Sequence, residues 1–394
     1  MARKRRAEIQ QRDLQGFKYF QRLMPLLERL HDVGTESDKA GNRRLFYDQY
    51  VCLVLLYFFN PVITSLRALQ QASTLDKVQK VLGVRRTSLG SLSESVGDFS
   101  AEPLREIVQE LAAKAVPLHS GHDAEALRGL TAVDGSLLPA LPRMAWALWN
   151  DDQHRAAKLH LAFDVLKGVP ADATITPGAS SEPAQLRVLL QSGRLYVLDR
   201  GYAGYELFRD VLDAGSSLVA RVKDNTAFTV AEERPIPAAA KNAGIVRDVI
   251  LSRLGTDHHK DVLKRPMRLV IVHRLKADGQ TEELWLITDR LDLDAELVAL
   301  AYRYRWTVEL FFRWLKCILG CRHLISDNQN GVTIQLYVAL IASLLIALIT
   351  GRKPTKRTLE MIQFYLIGWA SLAELEAHIR RLESAEQRPT TPVC

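Results

Sequence analysis

The spacing of apolar and polar positions changes character twice along this chain. Up to about residue 125 the apolar residues recur at helical intervals. "RRLFYDQYVCLVLLYFF" is apolar on nearly every side, which predicts a buried helix. It ends at Asn60-Pro61, because proline cannot continue a helix. "SLRALQQA" predicts a short helix. "TLDKVQKVLGVRRTSLGSLSESVGDFS" then gives a helix, a break at Gly83, the basic pair Arg85-Arg86, and a second helix that opens on serine. That order fits a helix-turn-helix, and it fits two ordinary packed helices as well.

From about residue 126 the pattern turns to strands. "LRGLTAVDGSLLPAL" predicts a strand ending at or just after Asp134, followed by strands in "KLHLAFDVL" and "ADATITPG". "SEPAQLRVLLQSG" is a capped helix with Gly193 at its end. "RLYVLDRGYAG" is nearly all apolar up to Asp199, as a central strand would be. A helix in "YELFRDVLDAG" and a fifth strand in "SSLVARVK" complete a mixed α/β sheet with helices. Between about Asp224 and Ile287 short alternating runs predict an inserted antiparallel β subdomain. A long amphipathic helix follows, then an apolar helix at Leu336–Thr350, the basic "TGRKPTKR", and C-terminal helices before a disordered tail, "AEQRPTTPVC". Three regions result: helices over 1–125, sheet and helices over 126–350, and a helical end over 351–394.

The amphipathic helix "AYRYRWTVELFFRWLKCILG" carries the first chemical signal. On a wheel of about 100° per residue, Tyr302, Arg305, Glu309, Arg313 and Lys316 fall within roughly 60°, with Trp306 beside them. Tyr304, Val308, Phe311, Leu315, Ile318 and Leu319 take the opposite, buried side. A solvated face would have i,i+4 ion pairs but no need of Tyr302 and Trp306. Cations with flat rings suit a nucleic-acid strand, charge for phosphates and π-faces for bases. A lone carboxylate repels phosphate unless a metal ion lies between them.

Composition fits this without proving it. The chain has 394 residues, a net charge of +7 and 47% hydrophobic residues, the balance of a soluble globular protein that is moderately basic. The run Arg3, Lys4, Arg5, Arg6 has no apolar stretch behind it and is not a signal peptide; it is either a solvated end or an arm on phosphates. The apolar segment at 336–350 has 15 residues, short of the ~20 that span a bilayer, which predicts a core helix and no membrane partner. Four cysteines describe a reduced, cytoplasmic protein. Cys317, Cys321 and His323 match no common zinc spacing.

Asp134, followed by Gly135-Ser136, and Asp199, followed by Arg200-Gly201-Tyr202, each read alone as turn formers at strand ends. If their strands are neighbours, both carboxylates meet at one sheet edge, and a helix alongside could bring Glu309 to them. Three oxygen ligands on separate elements can hold two divalent cations for phosphodiester chemistry.

Tyr302, Arg305, Glu309 and Lys316 have the spacing Tyr-x2-Arg-x3-Glu-x6-Lys. In this, and in "DRGY" around Asp199, the chain resembles bacterial insertion-sequence DDE transposases of the branch named after insertion sequence four. About 110 residues separate Asp199 from Glu309, room for that family's β insertion. The resemblance covers about 126–350. It implies a ribonuclease-H-like core in which Asp134, Asp199 and Glu309 are catalytic metal ligands for two Mg²⁺ ions, with Mn²⁺ as substitute. Tyr302, Arg305 and Lys316 would hold phosphates of the transposon end, Arg313 would add a contact, and Trp306 would stack on a base taken out of the duplex, with Trp285 the weaker candidate. Arg85 and Arg86 would serve end binding. The implied activity is cut-and-paste transposition by a homodimer on terminal inverted repeats and target DNA, with a hairpin intermediate, in the cytoplasm on the nucleoid. The alternatives are a nuclease on the same core that does not join strands, and an element-derived protein that binds DNA without cutting.

Overall fold

The structure, a computed structural model, describes residues 26–31, 45–118, 120–149, 154–256, 263, 265–276, 278–321 and 323–386. The basic run at Arg3–Arg6 and the tail beyond Glu386 lie outside them. The chain packs as two compact units, 1–115 with 314–394, and 116–313. The boundaries near 125 and 350 drawn above follow element type, whereas these follow packing.

The first unit is helical. Helix α1 (Tyr47–Phe59) buries every residue except Asp48. Ser65 caps α2 (Leu66–Ala72), accepting from the Ala68 N–H at 3.2 Å. Helix α3 (Asp76–Leu82) stops at Gly83, whose φ of 65° is the left-handed conformation that glycine adopts without strain. Ser88 caps α4 (Leu89–Asp98) through the Ser91 N–H at 3.0 Å. The connector between α3 and α4 is tied down at both ends. Gln49 donates to the Gly83 carbonyl at 3.0 Å, and the Thr87 N–H donates to buried Ser73 Oγ at 3.1 Å. Arg85 and Arg86 are left exposed on it. Helix α5 (Glu102–Lys114) closes this part.

The second unit opens with α6 (His122–Ala126) and holds one nine-stranded sheet of order β3-β2-β1-β4-β5-β9-β8-β7-β6. Strands β1 (Leu130–Pro139), β2 (Ala156–Asp164) and β3 (Val169–Pro177) form an antiparallel meander. Helix α7 (Glu182–Leu189) leads to β4 (Leu195–Leu198), and α8 (Tyr205–Asp213) leads to β5 (Ser217–Val222); β4 lies parallel to both β1 and β5. Alternate residues of β4 face opposite sides, as a pleated strand requires. Tyr196 and Leu198 meet Leu186, Leu207 and Phe208, while Leu195 and Val197 join the layer of Val298 and Ala301.

The strands expected as an inserted subdomain continue this sheet. They are β6 (Phe228–Glu233), β7 (Ile245–Leu254) after the short α9 (Ala238–Asn242), β8 (Met267–Leu275) and β9 (Thr281–Thr288), with β9 antiparallel to β5. The amphipathic helix expected to run unbroken is two helices, α10 (Ala295–Tyr304) and α11 (Trp306–Cys317).

Returning to the first unit, α12 (Gln329–Thr350) packs on α1 and α5, followed by α13 (Lys356–Leu366) and α14 (Leu372–Glu386). Helix α12 has 22 residues, so the expectation that length rules out a membrane span is corrected. What marks it as a core helix is packing: 83% of its most apolar stretch is buried inside the protein.

Two buried polar groups in the sheet carry measurable weight. Arg268 on β8 is 1% exposed and grips Asp248 on β7 bidentately, at 2.8 and 2.7 Å. The same guanidinium donates to the carbonyls of Arg290 and Leu293, just before α10. Removing one partner of such a pair strands the other charge. Arg268→Met is therefore expected to cost roughly 3–5 kcal/mol in urea unfolding. Arg268→Met combined with Asp248→Leu should cost less than Arg268→Met alone.

His160 on β2 is 1% exposed, with Nε2 2.8 Å from Thr176 Oγ1 on β3. Thr176 gives its own proton to the Pro177 carbonyl at 3.1 Å, so the His160 Nε2–H is the donor and Nδ1 is left without a partner. Burial, and next the Lys158 charge, push its pKa down to about 4. The folded value lies below the unfolded one. The stabilisation is thus complete above about pH 6.5 and is lost as pH falls through 4. Urea titrations over that range should show a loss of roughly 3 kcal/mol that His160→Gln removes.

Candidate functional site

The parallel ladder between β1 and β4 is short. Leu130, Thr131 and Ala132 pair with Leu195, Tyr196 and Val197. Two residues further along each strand are Asp134 and Asp199, level with one another at the end of the ladder. Their strands are neighbours, and in-register residues of parallel neighbours point the same way. Asp134 is not at a strand end, as expected above; β1 runs on to Pro139 against β2 alone. Asp199 lies just past β4 and caps the 3₁₀ turn Arg200–Tyr202.

Each acid spends an oxygen on its own turn. Asp134 Oδ1 accepts from the Gly135 N–H at 2.8 Å, and Asp199 Oδ1 from the Gly201 N–H at 2.7 Å. Asp134 is half-buried, and burial pushes its pKa up to about 6. The Gly135 N–H and the Arg305 charge oppose that rise, while Glu182 and Asp199 add to it. Tyr202, beneath them and fully buried, has its phenol held far above the ordinary range by burial and then by Glu182, Asp134 and Asp199.

Arg305 stands at the break between α10 and α11. Its N–H reaches back to the Tyr302 carbonyl at 3.1 Å, and the Val308 N–H reaches the Arg305 carbonyl at 3.2 Å, tightening the turn. The Thr307 hydroxyl takes up the Tyr304 carbonyl at 2.7 Å. Arg305 Nη2 lies 2.7 Å from Glu309 Oε1, one helical turn on. Burial works against the Arg305 charge, but Glu309, Tyr302 and Asp134 outweigh it and hold its pKa above the ordinary value.

The break also divides the stripe. Tyr302 is 9% exposed and belongs to the layer beneath the sheet, where the expectation put it on an open face. Trp306 is 57% exposed. Arg313 and Lys316 follow Glu309 at helical spacing on α11, Arg313 exposed and Lys316 half-buried. Trp285 sits on β9, edge-on to Phe228 at 5.7 Å, with its N–H on Glu283. Arg85 and Arg86 lie in the helical unit, where Arg86, Ser88 and Ser91 line a hollow of about 480 Å³.

A cavity of about 860 Å³ opens beside the break. Tyr302, Arg305 and Trp306 line it with Arg221, Arg274 and Arg303. Glu282 holds both Arg221 (2.6 Å) and Arg274 (2.5 Å). Sequence reasoning missed Arg221 and Arg274, since each is one charge on an alternating strand.

It also missed Glu182 and Lys158, a pair at 2.6 Å on α7 and β2. They fill the space over Gly135: a Cβ there would lie 2.8 Å from both Glu182 Oε1 and Lys158 Cε. The triplet Ser181-Glu182-Pro183 has the pattern of a helix start, which absorbs the glutamate without remainder.

Among the described residues no set of three or more His, Cys, Asp or Glu lies close enough to hold a metal ion. Two acids stand together; the third is paired with Arg305.

Comparison with known proteins completes the picture. The chain is 32% identical over 215 residues to a putative transposase, y4zB, of Sinorhizobium fredii, covering 54% of this chain and 58% of that one. It is 27% identical over 224 residues to a probable transposase for insertion sequence element IS5377 of Geobacillus stearothermophilus, covering 56% and 57%. It is 23% identical over 217 residues to a putative transposase for insertion sequence element IS4SA of a Synechocystis strain, covering 54% and 58%. The chain thus spans less than two thirds of the length of these relatives. Among solved structures, the piggyBac transposase synaptic complex with hairpin DNA aligns over 96% of this chain and 83% of its own, at a TM-score of 0.44 and 13% identity. The family described as Transposase DDE domain matches residues 125–345, a stretch that takes in both strand acids and the whole Tyr-Arg-Glu-Lys signature. The chain belongs to the family of the transposase DDE domain.

Proposed function

We propose that this protein moves an insertion sequence by cut-and-paste transposition. It binds the terminal inverted repeats, pairs two ends as a homodimer and hydrolyses the strand at each end. Water adds to the phosphorus, and the strand leaves as a free 3′ hydroxyl. That hydroxyl then attacks the phosphodiester of the opposite strand, closing a hairpin and releasing the flanking strand as a 3′ hydroxyl; a second water opens the hairpin and regenerates the 3′ hydroxyl of the end, which attacks a target phosphodiester and displaces a 3′ hydroxyl of the target strand. The supporting observation is that Asp134 and Asp199 stand level on adjacent parallel strands, with Arg305 in electrostatic reach of Asp134 and bonded to Glu309.

Strands β1 to β5 with their helices are read as the ribonuclease-H-like core within a catalytic region of about 126–350. Arg85 and Arg86, on the helices before about 125, are read as contacts to the repeat, and the helices after 351 as a separate C-terminal region. Tyr302, Arg305, Arg313 and Lys316 hold phosphates near the cut, and Trp306 receives a base at the mouth of the 860 Å³ cavity. The work takes place in the cytoplasm, on nucleoid DNA.

DDE transposases use divalent cations, and Mg²⁺, as two ions with Mn²⁺ as substitute, is the cofactor this membership brings. The residues as they stand do not fit it, because Glu309 is bonded to Arg305 and is not grouped with the two aspartates.

DNA ending in the inverted repeats that flank the gene, incubated with the full chain and Mg²⁺, should be nicked at the repeat and then joined to a second duplex. Nicking without joining would make the protein a nuclease; binding without nicking would make it an element-derived binding protein. Asp134→Ala, Asp199→Ala and Glu309→Ala should each abolish nicking while leaving gel-shift affinity within a few-fold of the parent. A variant that nicks at a near-parental rate removes its residue from the site.

Trp306→Ala should lose about 1–3 kcal/mol of transition-state stabilisation, the worth of one stacked base. An abasic site at the unstacked position should partly restore its single-turnover rate, because less unstacking remains to be done. Arg305→Ala should gain nothing from that substrate. Equal rescue of both variants, or of neither, would return Trp306 to an ordinary surface side chain.

A further inference from the structure

The basic segment between α12 and α13 has no part in the proposed reaction. It supplies Lys353, and the first turn of α13 supplies Lys356 and Arg357, all three exposed. Cations in a first turn oppose the helix dipole, which favours acids there, so the helix gains nothing from them. Lys356 has a surface partner in Glu360 at 3.5 Å, a pair worth little in water. Arg357 makes no ion pair among the described residues. On a wheel of about 100° per residue, Lys356, Arg357, Glu360 and Phe364 fall within roughly 100°. The buried residues Thr358, Leu359, Ile362 and Tyr365 take the other side.

Phe364 leads to a second observation. Helix α13 ends in a Schellman motif: the Gly368 N–H, at φ 86°, donates to the Tyr365 carbonyl at 3.1 Å, and the Trp369 N–H to the Phe364 carbonyl at 2.8 Å. The motif brings the side chains of Phe364 and Trp369 together, and they stack with centroids 5.9 Å apart and planes 27° from parallel. Any two apolar side chains would serve the motif. Here it joins two large rings that stay 42% and 79% exposed, so their contact shelters little surface. One face of the indole meets Phe364 and the other is open to solvent. The backbone bonds hold this face in place, so a flat partner binds it without the cost of ordering it.

A preformed ring face beside a stripe of cations suits a nucleic-acid strand, since every base offers a π-face and every phosphate a charge. A bilayer would need an apolar helix face, and that of α13 is buried in the protein. In a duplex the base faces are already stacked on one another. We infer that Trp369 and Phe364, with Lys353, Lys356 and Arg357, form a surface that holds an unpaired DNA strand. One base stacks on the open face of Trp369, and neighbouring phosphates lie on the cations. Stacking of this kind tolerates any sequence, so the surface is distinct from whatever reads the terminal repeat. The inference goes beyond the proposed function and does not need it: a protein that binds DNA without cutting would carry the same surface.

The test reads strand binding and not turnover. The full chain carrying Trp306→Ala, which removes the other exposed ring assigned to a base, is titrated with a short fluorescein-labelled oligothymidylate by fluorescence anisotropy. Adding Trp369→Ala should weaken binding about five- to hundredfold, the worth of one stacked base. Trp369→Tyr, which keeps a ring, should retain most of the affinity. A fully paired duplex of the same length should lose little with either. Lys356→Ala combined with Arg357→Ala should lower the slope of log affinity against log salt by about 1.4, two contacts at ~0.7 each. Trp369→Ala should leave that slope unchanged.

Strand affinity unchanged by Trp369→Ala, or lost equally for strand and duplex, overturns the inference. So does a salt slope that the double substitution leaves unchanged. Two other occupants of the rings would show in the same variants. One is a second copy of the chain, read by sedimentation velocity; the other is a vesicle of phosphatidylglycerol, read by co-sedimentation. Loss of either association in Trp369→Ala, with strand affinity still at the parent level, assigns the rings to that partner and overturns the inference too.

Discussion

Three residues of parallel pairing, Leu130 to Ala132 against Leu195 to Val197, set the geometry on which the site depends. A strand alternates its side chains between faces, so a slip of one residue would turn Asp134 to the opposite face of the sheet from Asp199. The burial pattern guards against it. Val133 of β1 joins Tyr196, Leu198 and Phe208 on one side while Leu130 joins Leu195, Val197 and Val298 on the other, and a one-residue slip would exchange the sides. The apolar core thereby aligns two carboxylates that contribute nothing to it.

The second constraint is the delivery of α10. Asp248 and two loop carbonyls converge on the buried Arg268 guanidinium, which fixes the approach from β9 to Ala295. From there α10 lays Tyr302 beneath the sheet, and i→i+3 bonds tighten the turn at Arg305, whose backbone stays right-handed helical. Tyr302 is core and Trp306, four residues on, is open to solvent, and both line the same cavity.

Much of this was legible in the residues themselves. The alternation of strands and helices from β1 to β5 follows from local periodicity, and so does the buried side of α11, where Val308, Phe311 and Leu315 are all inside. The placement of Asp199 just past a central strand was readable from "LYVLD", four buried apolar residues followed by an acid. Features that depend on partners far away in the chain were not. No glycine or proline marks the break at Arg305, so nothing local in the sequence announces it. Periodicity describes faces and not neighbours, so β6 to β9 read as a separate body when β9 in fact pairs with β5. Helix α12 exceeds its apolar run because polar residues at its start, from Gln329, are helical too, capped by Asn328. Lys158 and Glu182 come together only through the fold.

Gly135 shows how far such a hidden pair reaches. Its backbone is not left-handed, so nothing in the main chain demands glycine there. What a methyl group there would meet is the Lys158–Glu182 ion pair, at the far ends of two flexible side chains. An alanine at 135 is thus admitted by displacing that pair, and its effect would reach the first catalytic candidate through two charges moved from their places and not through the backbone.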